Sequence, residues 1–301
     1  MEVVDPDTLP LFTDDHPTGA LAQRYLFVGE DRTPENFMFS IADNIGRFQM
    51  VRHRHNFDQF RFAIAGDLNM GNGRSLREGC LGYFPEGTSY GPQDDEAGPV
   101  ALVLQFGGAS GYGYMSPGQY RAGRAALNKM GHFEGAVFVR ELEDGRVKKT
   151  FSINAIWEEA LGAKLLIPAP RYDQAIFINP RAFRWVPTGN VPGAFRKPLG
   201  TFSEREVRAE MWRLESGATL ELASSDARRL LFVLEGGGQA GSERIGKHFG
   251  VKIDPGENAT LSSAMGLTLL SFYLPPVSAA WTEPLLPSFE PVPGEAVPEP
   301  V

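Results

Sequence analysis

Short apolar or alternating runs, separated by turn residues, constrain the fold of this chain more than any other feature. The 301 residues include 34 glycines and 23 prolines, which favour frequent turns and short strands over long helices. From Phe37 to Gly107 the runs are NFMFSIAD, GRFQMVRH, DQFRFAIAGDLNM, GCLGYFPEG and GPVALVLQFGG. A second block of this kind extends from Leu199 to Pro275. Strands with this spacing predict an all-β protein built from sandwiches or barrels.

Two helices are predicted between the two blocks. Ser116 is the expected N-cap of the first, with Pro117 at its first helical position, and the helix is expected to run to Gly131. Asn154 is the expected cap of the second helix, in INAIWEEALG, and Gly162 its stop. A proline-rich connection, IPAPRYDQAIFINPRAFRWVPTGNVPG, leads to the second block. The helical insert is therefore short.

The order of β-block, insert and β-block predicts a duplicated fold. We expect a first barrel over residues 1–115, whose lead-in, residues 1–35, is irregular apart from one candidate strand, RYLFVG. An insert with its connection is expected over 116–190. A second barrel is expected over 191–280. The Pro- and Glu-rich residues 281–301 are expected to form an extended tail.

Charge and composition exclude several classes of partner. The net charge is −8 and no basic stripe is present, so nucleic acid is not an expected partner. No apolar run approaches about 18 residues, so no membrane span is expected. The acidic start MEVVDPDTLP does not have the form of a signal peptide, and the single Cys80 permits no intrachain disulfide. These features favour a cytoplasmic protein.

The stretch HRHNFDQF places two histidines two residues apart on a predicted strand. His53 and His55 therefore share one face, and Gln59 shares a face with Arg61, while Asp58 faces the opposite way. If the strand lies in a barrel wall, that face is the interior. Two imidazoles and an amide oxygen that converge there can bind a transition metal, and polar surface residues without chemistry are the alternative.

The first block resembles the cupins, which are small barrels of jelly-roll type. Their first motif is commonly written G-x5-H-x-H-x3/4-E-x6-G and their second G-x5-P-x-G-x2-H-x3-N. The matching positions are His53, His55, Gln59 and Gly66 for the first motif, and Gly79, Pro85, Gly87, Tyr90 and Asp94 for the second. Gln59 replaces the usual glutamate, Tyr90 the histidine and Asp94 the asparagine, and Gly46 precedes His53 by seven positions. The glycine and proline framework is retained, and the ligand set is altered.

The second block fits the same template without ligands. Ala223 and Ser225 stand where H-x-H would be, Arg229 takes the glutamate place and Ala259 the histidine place. The resemblance therefore implies a fold of two cupin (jelly-roll) β-barrels with a short helical insert between them, of which the second is degenerate.

By this resemblance the first barrel holds one divalent transition metal, with Fe, Zn, Mn and Ni not distinguished. The implied ligands are His53, His55, Gln59 and Tyr90, and Tyr90 serves either as a ligand or as a catalytic acid/base. The neutral amide of Gln59 would leave the metal more positive and a stronger Lewis acid. Arg61, Gln93 and Gln105 are candidates for substrate binding, with a structural role as the alternative.

The expected function is a metal-dependent enzyme that acts on a small oxygen-bearing organic molecule. Dioxygenase-type cleavage and redox-neutral cyclase, isomerase or lyase chemistry both remain open. The alternative is a non-catalytic bicupin that binds a small molecule without metal. Because cupins often pair edge strands between subunits, a homodimer is also expected.

Overall fold

The computed structural model describes residues 1–16, 19–33, 35–111, 114–189 and 191–276. The expected tail over 281–301 lies outside the described residues. Nearly half of the described residues lie in β-strands and few lie in helices, so the protein is mainly β, as the sequence predicted.

The strands and helices follow the turn rhythm of the sequence. The strands of the first block are β1 (Glu2–Val4), β2 (Phe12–His16), β3 (Gly19–Val28), β4 (Phe37–Met50), β5 (Phe57–Ala65), β6 (Leu68–Asn69), β7 (Ser75–Leu76), β8 (Leu81–Phe84), β9 (Gln93–Asp95) and β10 (Val100–Gly107). The insert and connection contain α1 (Pro117–Leu127), β11 (His132–Glu134), β12 (Val137–Glu141), β13 (Val147–Phe151), α2 (Ser152–Leu161), β14 (Ile176–Ile178) and β15 (Val186–Pro187). The second block contains β16 (Ala194–Thr201), β17 (Arg208–Leu214), β18 (Thr219–Leu222), β19 (Arg229–Gly236), β20 (Gly238–Ala240), β21 (Glu243–Ile245), β22 (Gly250–Ile253), β23 (Ala259–Ser262) and β24 (Leu267–Tyr273). Short 3-10 helices cover Pro6–Thr8 and Pro180–Ala182.

Two large antiparallel sheets pack face to face in the centre of the molecule. One has the order β14-β8-β5-β10-β4-β3-β2, and the other has the order β1-β22-β19-β24-β17-β16-β15. Phe39, Phe60 and Phe106 of the first sheet lie in one core cluster with Phe232 and Phe272 of the second. The largest apolar core is therefore the contact between the two barrels.

The opposite face of each large sheet encloses a barrel interior. β6, β7 and β9 complete the first barrel, and the four-stranded sheet β18-β23-β20-β21 completes the second. Because side chains alternate along a strand, Phe60 and Phe62 of β5 face the inter-barrel core, and Phe57 and Ala63 face the first interior. The alternation thus assigns each residue of β5 to one of two environments.

Two strands pair across the expected domain boundaries. β1, at the start of the expected first domain, pairs with β22 of the second barrel, with Glu2 opposite Lys252. β14, from the connection, pairs with β8 of the first barrel. The one strand expected in the lead-in, RYLFVG, lies almost entirely within β3, but β1 and β2 also lie in the lead-in and join the large sheets. The domain division itself stays a prediction.

The insert contains two helices and also a small antiparallel sheet, β11-β12-β13, which was not predicted. Ser116 caps α1 with a capping box to Gln119, as expected, but α1 ends at Leu127 rather than at Gly131. The prediction of Asn154 as the cap of α2 was wrong, because the helix begins at Ser152, directly after β13 ends. No helix of the described chain combines the length and the apolar character needed to cross a bilayer.

Candidate binding site in the first barrel

A cavity of about 220 Å³ lies inside the first barrel. Most of its wall is apolar and aromatic, with contributions from Tyr25, Met38, Phe48, Met50, Phe57, Val103 and Tyr114. Met115 and four residues of the insert close one side of it, the insert residues being Pro117, Tyr120, Phe151 and Ile153. A small number of polar groups interrupt this lining, which is the usual composition of a small-molecule site.

Three neighbouring strands and one loop bring the polar groups together. β5 supplies Gln59 and Arg61, and β10 supplies Gln105, whose backbone lies directly opposite Gln59. β9 supplies Gln93. The loop before β5 is held by a reciprocal pair of backbone hydrogen bonds between His53 and Tyr90, each of 3.0 Å. The template glycines Gly66, Gly79 and Gly87 all have positive φ, so these turns require glycine or strain.

Arg61 lies at the point where the predicted site residues converge. Its guanidinium donates to Gln93 Oε1 at 3.0 Å and to the Tyr90 hydroxyl at 3.2 Å. The Tyr90 hydroxyl also lies 2.8 Å from His55 Nε2. Tyr90 itself is not among the residues that line the cavity. Its hydroxyl contacts His55 and Arg61 on the side away from the cavity.

The Gln59 amide is fully buried and contacts three neighbours. It lies 2.6 Å from the Gln105 amide and 3.3 Å from the Tyr90 hydroxyl. Turned so that its oxygen faces Arg61, it accepts a hydrogen bond from Arg61 Nε at 3.0 Å. The Gln105 amide also lies 3.1 Å from the Tyr114 hydroxyl. All seven predicted site residues therefore belong to one connected cluster.

The protonation states of the imidazoles follow from their surroundings. Burial, followed by the nearby His53 and Arg61, holds the pKa of His55 well below its usual value, so His55 is neutral at pH 7. His53 Nδ1 lies 2.8 Å from the Val51 carbonyl oxygen, which can only accept. Nδ1 therefore carries the proton, and in the neutral ring Nε2 is the basic atom. Burial raises the pKa of Tyr90, although Arg61 and Gln59 oppose this shift.

The residues as arranged do not fit a divalent metal ion. Among the described residues, no group of three or more His, Cys, Asp or Glu side chains is placed to hold one. Gln59 is a neutral amide, and burial raises the pKa of the Tyr90 phenol. The Arg61 guanidinium already contributes a permanent positive charge within hydrogen-bond distance of Tyr90. A divalent ion held by the four predicted ligands would meet this like charge, and none of those four side chains is a carboxylate.

Sequence reasoning missed Asp95 and the insert residues of the wall. Asp94 was aligned with the template asparagine, but its carboxylate is exposed and forms an ion pair with Arg47. Asp95, one position later, is 5% exposed and lines the cavity. The alternation along β9, with Gln93 and Asp95 buried and Asp94 exposed, was the signal that could have identified it.

A second polar cluster lies on the opposite face of β5, between the barrels. Asp58 accepts from the Glu86 amide and from the Tyr83 hydroxyl, each at 2.9 Å. Glu86 is fully buried and pairs with Arg171 of the connection and with Ser110. Burial, reinforced by the charge of Glu86, raises the pKa of Asp58 to about 7. Asp58 thus faces away from Gln59, as the strand alternation predicted, and does not reach the cavity.

The second barrel has a polar cluster of a different kind. Arg229, at the template position of Gln59, donates to the Glu257 carbonyl oxygen at 3.0 Å. Tyr273 and the Trp212 indole both donate to Glu210 Oε1. The rest of this interior is an aliphatic cluster that includes Leu231, Val233, Leu261 and Leu269, all fully buried. Glu210 and one guanidinium nitrogen of Arg229 are therefore paired within this barrel, whereas the buried Arg229 Nε has no hydrogen-bond partner among the described residues.

Comparison with known proteins supports the fold. No family model matches the sequence, and no curated protein matches it. Among solved structures, a protein from Nostoc punctiforme described as "a putative dioxygenase" matches 95% of this chain and 87% of its own, with a TM-score of 0.62 and 12% identity. Ylba from E. coli matches 92% and 91% of the two chains, with a TM-score of 0.52 and 10% identity. A variant of Bacillus subtilis oxalate decarboxylase matches 92% and 78%, also with a TM-score of 0.52 and 10% identity.

These likenesses extend over both barrels and agree with the strand order described above. The chain is a cupin-fold protein with two barrels and a short insert between them, as the sequence predicted. At identities of 10–12% the comparisons show the fold and leave the chemistry to the site itself.

Proposed function

We propose that the first barrel is a metal-independent site that binds a small organic molecule through a carboxylate or enolate oxygen. The observation that carries the proposal is the Arg61 guanidinium, which lies on the cavity wall and is hydrogen-bonded to the neutral side chains of Gln93 and Tyr90. Arginine presents several N–H donors in one plane and binds carboxylates with charge-assisted hydrogen bonds. The apolar wall and the volume of about 220 Å³ suit a small ligand with an apolar body.

We further propose redox-neutral enzyme chemistry at this site. His53 Nε2 removes a proton from a carbon next to a carbonyl of the ligand, and the bonding electron pair moves to the carbonyl oxygen. Arg61 stabilises that oxyanion, and the hydrogen bond from Nδ1 to Val51 holds the His53 ring in place. Return of the proton to the enolate completes an isomerisation or exchange without any oxidant.

Binding is tested with 3-phenylpropionate, a carboxylate of suitable size, by calorimetry on the full chain. We expect Arg61→Met to weaken binding by about tenfold or more, because a charged hydrogen bond is lost. Arg47→Met is the matched control, since Arg47 forms an exposed ion pair away from the cavity lining. Equal affinity in wild type and Arg61→Met contradicts the proposal.

Catalysis is tested by NMR, as deuterium exchange from solvent into the carbon next to the carbonyl of phenylpyruvate. We expect the protein to accelerate the exchange above the buffer rate, and His53→Ala to return it to that rate. Binding of the carboxylate without any acceleration would favour the non-catalytic binding protein.

The metal-dependent enzyme expected from the sequence is the second candidate. The observation that favours it is the convergence of His55, Gln59 and Tyr90 at the template positions of cupin ligands. Elemental analysis of protein purified without an affinity tag tests it directly. One equivalent of Fe, Zn, Mn or Ni in wild type would favour this candidate, whereas metal uptake by Arg61→Met alone would support the role of Arg61.

A further inference from the structure

Asp95 is the one buried acidic side chain on the cavity wall among the described residues. Its Oδ1 accepts from the Asn69 backbone amide at 2.7 Å. Its Oδ2 is buried and has no hydrogen-bond partner in the described part of the chain. A carboxylate oxygen left in this state costs free energy, so such groups in native proteins commonly serve a binding or catalytic role.

The position of Asp95 relative to Arg61 is fixed by β9. Gln93 and Asp95 lie two residues apart and share a face, and Gln93 accepts the hydrogen bond from Arg61. Two residues along a strand span about 7 Å. The cavity therefore has, on the same wall, an anion-binding group hydrogen-bonded to Gln93 and an unpaired carboxylate oxygen on Asp95, two residues from Gln93.

We infer that the ligand of the first barrel carries an ammonium group in addition to its carboxylate, and that Asp95 binds this ammonium. The inference rests on the proposed function, because Arg61 must hold the carboxylate. Burial raises the pKa of Asp95 and the charge of Arg61 acts against that shift, so the two groups are near enough for the adjacent carboxylate and ammonium of one amino acid to meet both. The aromatic wall, including Phe57 and Tyr114, would surround an apolar or aromatic side chain of that ligand.

Three probes that differ in one group each test the inference by calorimetry on the full chain: L-phenylalanine, 3-phenylpropionate and phenethylamine. We expect L-phenylalanine to bind wild type about tenfold or more tightly than either analogue, because each analogue leaves one charged partner unpaired. This comparison needs no variant, so a folding defect cannot obscure it.

Asp95→Asn and its neighbour Asp94→Asn form a matched pair of variants. The side-chain amide introduced by Asp95→Asn keeps an oxygen that can accept from the Asn69 backbone amide, so the expected change is confined to the ligand. We expect Asp95→Asn to remove the preference for L-phenylalanine over 3-phenylpropionate, and Asp94→Asn, which alters an exposed ion pair, to keep it.

The failures of the inference and of the proposed function are distinct. If 3-phenylpropionate binds as tightly as L-phenylalanine, the Asp95 contact is overturned and the Arg61 anchor stands. If phenethylamine alone binds and loses affinity in Asp95→Asn, the Asp95 contact stands and the Arg61 anchor is overturned. If none of the three probes binds, both are overturned.

Discussion

The two barrels share one fold and differ in how polar side chains are placed and hydrogen-bonded in their interiors. In the first, Arg61, Gln93 and Asp95 line a cavity, and one carboxylate oxygen remains unpaired. In the second, Glu210 receives two hydrogen bonds from its neighbours, and aliphatic side chains fill the remaining space. The same architecture therefore supports a binding site in one copy and a packed core in the other.

The distribution of buried acids makes the same distinction. Asp58, Glu86 and Asp95 are the acidic residues that are buried in the described chain, and all three belong to the first block. The second block has its acidic residues at more accessible positions, as with Asp254 in its ion pair with Arg228. Burying a carboxylate costs free energy of folding. The first barrel therefore bears a cost for its buried acids that the second barrel does not.

The largest expected effect comes from a comparison of one ion pair in each barrel. Arg171→Met leaves the fully buried Glu86 without its cation, and we expect a loss of about 3–5 kcal/mol in the free energy of unfolding. Arg228→Met removes the partner of the more exposed Asp254 and Glu35, and we expect a loss of about 1 kcal/mol or less. Urea denaturation measures both, and equal losses would remove this contrast.

The next effect compares the packing of the two interiors. Leu269 lies in the aliphatic cluster of the second barrel, and Leu68 lines the cavity of the first. We expect Leu269→Ala to cost about 3–4 kcal/mol, and Leu68→Ala about 2 kcal/mol, because atoms next to an existing cavity lose fewer contacts. A larger loss for Leu68→Ala, measured by the same denaturation, would show that the first interior is the tighter one.

The third effect is a pH dependence that Asp58 of the first barrel carries. The folded-state pKa of Asp58, about 7, exceeds its usual value of 3.8. Its contribution to stability is therefore complete below about pH 4 and is lost as the pH rises through 7. Because asparagine does not ionise, we expect the stability difference between wild type and Asp58→Asn to shift in favour of the variant over this interval. Thermal unfolding at a series of pH values measures the difference, and a constant difference contradicts the assignment.

The sequence predicted the fold class and the convergence of the first-barrel residues. Turn spacing was sufficient for the strands, and the period of two along β5 separated Gln59 and Arg61 from Asp58. The small sheet of the insert was missed because β11 is three residues long and β13, VKKTF, is too polar to read as a buried strand.

The role of Arg61 and the position of Asp95 required the coordinates. The spacing template gives only the positions of ligands along the chain. It contains no information that the Arg61 guanidinium lies among those ligands. The choice between Asp94 and Asp95 depended on the orientation of a three-residue strand, since a shift of one residue exchanges its two faces. Such local register is set by the pairing of β9 with β4, which no short motif encodes.

The pairing of β1 with β22 has a consequence for how the protein is made. Glu2 lies opposite Lys252, and about 250 residues separate the two strands along the chain. Because β1 is synthesised long before β22, it cannot pair until most of the second barrel has also been synthesised. Until then the edge of β22 has no neighbour and the early strand has no sheet to join. The seven-stranded sheet is therefore completed only after the second barrel has left the ribosome, and completion of the first barrel does not suffice.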